Sequence, residues 1–347
     1  MKFSGRRKNR FPVKNSLLIG WFLVTISTGC LAQTGVAQVR VILDTDIDSD
    51  VDDVQALAML HAYEKTGLVN VLGVVVTSND SAAAACTAAI NAFYGRPDLP
   101  IGYLSQQTNL RHFSKYTQSV AESFPHTLKS LSQTIESARL YRRLLANSPD
   151  GSVVIVTIGH LTSLQKLLQS AGDDLSPLSG QALVAKKVKK WLCMGGQYPA
   201  GKEANFFRPD PQSTIYCLHH WTQEALFCGW EVGNRIKTGG DYLRRNLPQS
   251  HPVYRAYDMY NNFAGRPAWD QVAVLLLDER RAGQYLEFIG NGYVRVNPDG
   301  SNDWQTGTAA NKRHAYVRIR PGVDPDVIAR YMDDLVITLK PDKIPSK

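Results

Sequence analysis

Residues 39–53 read Val-Arg-Val-Ile-Leu-Asp-Thr-Asp-Ile-Asp-Ser-Asp-Val-Asp-Asp. The first five form the apolar, β-branched run expected of a buried strand. The next ten hold six carboxylates: Asp44, Asp46, Asp48, Asp50, Asp52 and Asp53. Beyond them Val54, Leu57, Ala58 and Leu60 follow the spacing of a helix. A strand, an acidic turn and a helix are therefore expected. Carboxylates a few ångströms apart repel one another, so such a turn needs protons or a cation. A donor set made only of oxygen favours a hard cation, Ca²⁺ or Mg²⁺.

Outward from this stretch, strand-like and helix-like runs alternate. Strands are expected over 69–77, 152–158, 188–194 and 225–231, with a late one over 315–319. Helices are expected over 81–94, 161–170, 212–221 and 325–339. The alternation argues for an α/β fold: an open, mostly parallel sheet flanked by helices, in a single domain. Ligands bind beyond the carboxyl ends of the strands in such a sheet. Asp46, Asn79, Ile158 and Gly195 all fall at those ends. Residues 235–268, rich in Arg, Tyr and Asn, read as a helical insertion or lid over the site.

The chain has 347 residues. Residues 1–32 have the pattern of an export signal: Lys2, Arg6, Arg7, Lys8, Arg10 and Lys14, then a largely apolar stretch over 16–29, then Cys30-Leu31-Ala32 as the cleavage region. Cys30 is alternatively a lipid acceptor. The apolar stretch is short for a membrane span, which needs about 20 residues. The mature domain is then 33–347, exported to the periplasm or the extracellular space, or anchored there as a lipoprotein. The whole chain carries 39 basic and 31 acidic residues, net +8. Six of the basic ones lie in the signal, leaving 33 against 31, or +2. The basicity belongs to the leader and gives no reason to invoke nucleic acid. Cys86, Cys193, Cys217 and Cys228 form no CxxC pair, which disfavours zinc. A Cys217–Cys228 disulfide and buried free thiols both stay open.

Six short motifs occur in order along the chain. Asp44-Thr45-Asp46 with Asp52-Asp53 is followed by Thr77-Ser78-Asn79, Ile158-Gly159-His160-Leu161-Thr162-Ser163, Met194-Gly195-Gly196, Glu203-Ala204-Asn205 with Asp210-Pro211, and Trp269-Asp270. In this set and order the chain resembles the nucleoside hydrolase family, inosine-uridine preferring type. The resemblance implies Ca²⁺-dependent hydrolysis of the N-glycosidic bond of ribonucleosides. It implies a Ca²⁺ held by Asp46, Asp53, the Ile158 carbonyl and Asp270, with Asp46 taking a proton from the attacking water. It implies that Asp52 holds the ribose hydroxyls, that Glu203 and Asn205 grip the outer hydroxyls, and that Asn79 lines the pocket. Trp269 stands where many members carry His. The purine-preferring branch also carries Trp there, which implies stacking on a purine base; Phe113 or Tyr116, from their position in an early loop, are the candidates for the opposite face. The partner is a small nucleoside, with no nucleic acid and no stable membrane span, and a homo-oligomer is expected.

Two departures stand out. The acidic turn is two residues longer than the family's D-x-D-x-x-x-D-D, with Asp48 and Asp50 in the extra length as further ligands or solvated bystanders. The loop after Gly196 is short, and an Asn of the 5′ side has only Gln197 or Lys202 to replace it. Other readings are weaker. A haloacid dehalogenase-type phosphatase also opens on strand and D-x-D, but Ile47 follows Asp46 where that class wants Thr or Val. An EF-hand fails at Ser49 and Gln55. A non-catalytic sugar- or nucleoside-binding protein of the same fold is the main alternative. His160 sits in a site loop, where packing and catalysis are both open, and His219-His220 reads as structural.

Overall fold

The computed structural model describes residues 38–105, 114–309 and 312–338. The expected signal over 1–32, with Cys30, and Phe113 lie outside the described residues.

The strands are β1 (Val39–Thr45), β2 (Val69–Val76), β3 (Ile101–Tyr103), β4 (Ile135–Glu136), β5 (Val153–Thr157), β6 (Val188–Met194), β7 (Ala200–Lys202), β8 (Glu224–Cys228), β9 (Lys237–Thr238), β10 (Arg266–Pro267), β11 (Leu286–Val296), β12 (Ser301–Thr306) and β13 (Arg313–Ile319). Among the described residues, eleven of them form one sheet in the order β4-β3-β2-β1-β5-β6-β8-β13-β11-β12-β7. Pairing is parallel from β4 through β13. It turns antiparallel for β11, β12 and β7 at one edge. The fold is thus the expected mostly parallel α/β sheet. The β11–β12 hairpin was not expected, because segments such as Asn291-Gly292-Tyr293-Val294-Arg295 lack a continuous apolar run. The strand expected over 225–231 is shorter at its end: β8 stops at Cys228, and Trp230–Gly233 is helical.

The acidic turn is carried where the sequence put it. β1 is buried from Val41 to Thr45, and the helix Asp52–Lys65 starts directly after the turn. Asp52 and Asp53 occupy that helix's first turn, where carboxylates favour the positive end of its dipole. All residues from Asp52 to Tyr63 are buried, so the polar ones need partners. Gln55 Nε2 donates to Asp333 at 2.8 Å, Gln55 Oε1 accepts from the Tyr257 hydroxyl at 2.6 Å, and His61 Nε2 meets Asn91 Oδ1 at 2.8 Å. Two apolar clusters pack against the two faces of the sheet. Cys86, Cys193, Cys217 and Cys228 are all buried free thiols, so of the two cysteine readings the structure takes the second. No helix among the described residues is long and apolar enough to cross a membrane.

Candidate functional site

The carboxyl ends of β1, β5, β6 and β8 lie side by side. They deliver Asp46, Ile158, Gly195 and Trp230 to one end of the sheet. A cavity of about 500 Å³ opens there, lined at its floor by Asp46, Asp52, Asp53, Ile158 and Asp270.

Each floor residue has a local cause. Asp44 points away and is consumed by structure: Thr77 donates to it at 2.5 Å and Tyr141 at 2.7 Å. Asp46 lies against the end of β5, where a Cβ on Gly159 would come within 2.5 Å of its Cγ. Glycine at 159 is what lets this carboxylate approach the chain. The Thr45 hydroxyl donates to Asp53. Asp270 sits in the first turn of the helix Trp269–Leu275, which packs on the helix Asp52–Lys65 and on β6. Its backbone N–H donates to Asp52 at 3.2 Å. Asp52, Asp53 and Asp270 bring carboxylate oxygens within 4.8 Å of one another, all three buried.

Burial first, and then the neighbouring carboxylates, push Asp46, Asp52, Asp53 and Asp270 well above the usual carboxylate range. A cluster of this kind binds protons or a cation. Its donors are carboxylate oxygens only, which suits a hard divalent ion. Asp46 stands outside the three-carboxylate group but lines the same floor.

The extra length of the turn has a role that its composition did not reveal. Asp48 is buried and accepts from Ser78 at 2.5 Å. Asp50 is paired with Arg266, whose Nε reaches it at 2.8 Å. Neither belongs to the carboxylate group, and neither is a solvated bystander. The Arg266 guanidinium lies 4.9 Å from the Trp269 ring centroid and 5.7 Å from that of Tyr260. Trp269 is half-buried, and its indole N–H donates to the Trp230 carbonyl at 3.0 Å. Trp230, Tyr260 and Trp269 form an aromatic wall above the acidic floor.

On another side stand Lys202, Glu203, Asn205 and Arg208. Glu203 caps the helix Ala204–Phe207. Its oxygens accept from Asn205 N at 2.8 Å and Gly196 N at 2.9 Å. Burial raises its pKa to about 7 against those N–H groups. The Asn205 amide donates to the Ile158 carbonyl at 3.1 Å and the Met194 carbonyl at 3.3 Å. His160 lines the cavity with Nδ1 3.0 Å from the Thr162 hydroxyl.

Some expected positions lie elsewhere. Asn79 follows β2, half-buried, outside this lining. Tyr116 is buried, and its hydroxyl donates to the Asp50 carbonyl, so its ring does not face the cavity. Tyr260 and Trp230 occupy the wall in its place. The Gln197 backbone is held by Asn302 outside the lining, whereas Lys202 lines the cavity. Sequence reasoning missed Trp230, Tyr260, Arg208 and Arg266. For Trp230 the signal existed, because it follows the carboxyl end of β8. For Arg266 there was none beyond the Arg-rich character of 235–268.

A buried acidic floor and an aromatic wall thus meet at the carboxyl end of a parallel sheet, where such folds bind ligands. Residues 41–328 match the inosine-uridine preferring nucleoside hydrolases, and the chain belongs to that family, hydrolases acting on N-glycosyl compounds. Solved structures agree in fold. A plant nucleoside hydrolase, PpNRh1, is 18% identical with a TM-score of 0.60, over 87% of this chain and 99% of its own. The inosine-uridine preferring nucleoside hydrolase of Bacillus anthracis is 16% identical with a TM-score of 0.63, over 87% and 100%. The purine-preferring ribonucleoside hydrolase of Gardnerella vaginalis is 14% identical with a TM-score of 0.65, over 86% and 98%. No curated protein matches this sequence.

Proposed function

We infer that the chain hydrolyses the N-glycosidic bond of purine ribonucleosides in a Ca²⁺-dependent reaction, giving base and ribose. The carrying observation is the grouping of Asp52, Asp53 and Asp270 within 4.8 Å, beneath Trp269 and beside Asp46 and Ile158. Asp46, Asp53, Asp270 and the Ile158 carbonyl would hold the ion. When bound, Ca²⁺ supplies Lewis acidity that acidifies a water and draws in the sugar's diol.

The chain's own groups do the rest. Asp46 accepts the proton of the attacking water. Asp52, whose carboxylate already accepts the Asp270 N–H, accepts from a ribose hydroxyl and so orients the sugar. Positive charge develops at the anomeric carbon as the base departs, and the carboxylate floor favours it. Trp269, braced by its bond to Trp230 and by Arg266, offers a rigid stacking surface whose area suits a bicyclic base. Residues 1–32 support an exported site of action.

The test uses inosine, adenosine, uridine and p-nitrophenyl phosphate, each with Ca²⁺ and with chelator. Base release from the purine nucleosides that chelator abolishes is expected. Asp53→Ala should lose both ion binding and turnover, and full activity in that variant would end the proposal. Ligand binding with no base release from any nucleoside would favour the non-catalytic alternative.

A further inference from the structure

The side of the cavity that bears Glu203 and Asn205 carries more positive charge than a neutral nucleoside can use. We propose that this side binds a 5′-phosphate, so that the preferred substrate is a 5′-phosphorylated purine nucleoside. The proposal rests on the hydrolase reading above, and it assigns Lys202 and Arg208 to the phosphate.

Both cations line the cavity, and they flank Glu203 and Asn205 in sequence. Lys202 ends β7, the edge strand held by β12, where it pairs with Ser301. Arg208 follows the short helix Ala204–Phe207. The two share one ring: the Lys202 Nζ lies 5.1 Å and the Arg208 Cζ 5.3 Å from the Phe207 centroid. Of the three cations that line the cavity, Arg266 is committed to Asp50. Among the described residues Lys202 has one ion-pair partner, Asp299, at 3.3 Å, with both side chains well exposed at 44% and 61%. Such a pair holds weakly and exchanges readily for a better anion. Arg208 has no ion pair among the described residues.

Glu203 lies within electrostatic reach of Arg208 but makes no ion pair with it among the described residues. Both Glu203 oxygens are spent on backbone N–H groups, and the carboxylate is buried. The acidic floor is the part of the site suited to a divalent ion. What remains facing solvent on this side is an arginine and a lysine, the two groups that recognise phosphate, one by a planar fork and one as a point charge.

The reaction is unchanged in kind. Water adds to the anomeric carbon, the C–N bond breaks, the base leaves with a proton, and ribose 5-phosphate is the second product. The phosphate is bound and not transferred.

Inosine and inosine 5′-monophosphate are compared by kcat/KM with Ca²⁺, in the wild type and in Arg208→Ala and Lys202→Ala. A ratio of at least about tenfold in favour of the monophosphate is expected, as for a charge-assisted contact. It should fall about tenfold in Arg208→Ala and shrink with added salt. Inosine 5′-diphosphate, run alongside, tells a terminal phosphate from a pyrophosphate. Turnover of inosine without preference for the monophosphate, or a preference that both variants retain, overturns the proposal and leaves the hydrolase reading standing. Should neither compound be hydrolysed, the hydrolase reading fails alone. Calorimetric titration of the same two compounds then decides this one by the same ratio.

Discussion

Removing one carboxylate from the acidic floor should stabilise the ion-free protein while it abolishes ion binding. Asp270→Asn keeps the shape and the bond from its N–H to Asp52 but removes one negative charge. In the native cluster one oxygen from each of the three carboxylates lies within 4.8 Å of those from the other two. At an effective permittivity near 20, each ionised pair then costs at least about 3.5 kcal/mol. Asp270 takes part in two such pairs, which together cost about 7 kcal/mol if all three are ionised. The protein limits this by taking up a proton. Forcing a proton on a carboxyl of ordinary pKa at pH 7 costs about 4 kcal/mol. The relief from Asp270→Asn is therefore capped at about 4 kcal/mol, a rise in Tm on the order of 5 °C for a domain of this size. Thermal unfolding with chelator should show that rise at pH 7. It should shrink at pH 5, where protons already neutralise the cluster in the wild type. With millimolar Ca²⁺ the order should reverse, because only the wild type gains from the ion. Equal Tm values in chelator, or an equal Ca²⁺-dependent rise in both proteins, would refute the reasoning.

Three further outcomes are expected. Gly159→Ala should push the Asp46 carboxylate off its seat against β5 and lower kcat by about tenfold or more with little change in KM; unchanged steady-state kinetics would remove Asp46 from the reaction. Trp269→Ala should weaken turnover of inosine more than that of uridine, and equal losses, or none, would sink the stacking role. Burial holds His251 neutral, with its pKa lowered to about 3, 3.2 Å from the Tyr94 hydroxyl and near Phe93. Its folded pKa is depressed, so the stability it confers is complete above pH 6.5 and is lost as pH falls toward 3. Urea unfolding at pH 7 and pH 4.5 should show a loss about 2–3 kcal/mol larger in the wild type than in His251→Gln, and parallel losses would contradict this.

The chain alone determined the parts governed by local pattern. Val39–Leu43 reads as a buried strand, and the six carboxylates over the next ten residues read as a turn that gathers protons or a cation. The apolar runs of β2, β5, β6 and β8 announce a parallel sheet, and because ligands sit at the carboxyl end of such a sheet the pattern alone brings Asp46 and Ile158 together. Tertiary structure alone decided which polar groups meet across long separations. Asp50 meets Arg266, 216 residues away, and so anchors the guanidinium that lies against the aromatic wall, outside the three-carboxylate group. Asp48 is drawn to Ser78. The β11–β12 hairpin, invisible as an apolar pattern, holds β7 at the sheet edge and with it Lys202. The physical reason is one of range. Hydrophobic periodicity is set by the local geometry of strand and helix and is written in neighbouring residues, whereas an ion pair or a stacking contact depends on which distant segments the packed sheet brings within a few ångströms.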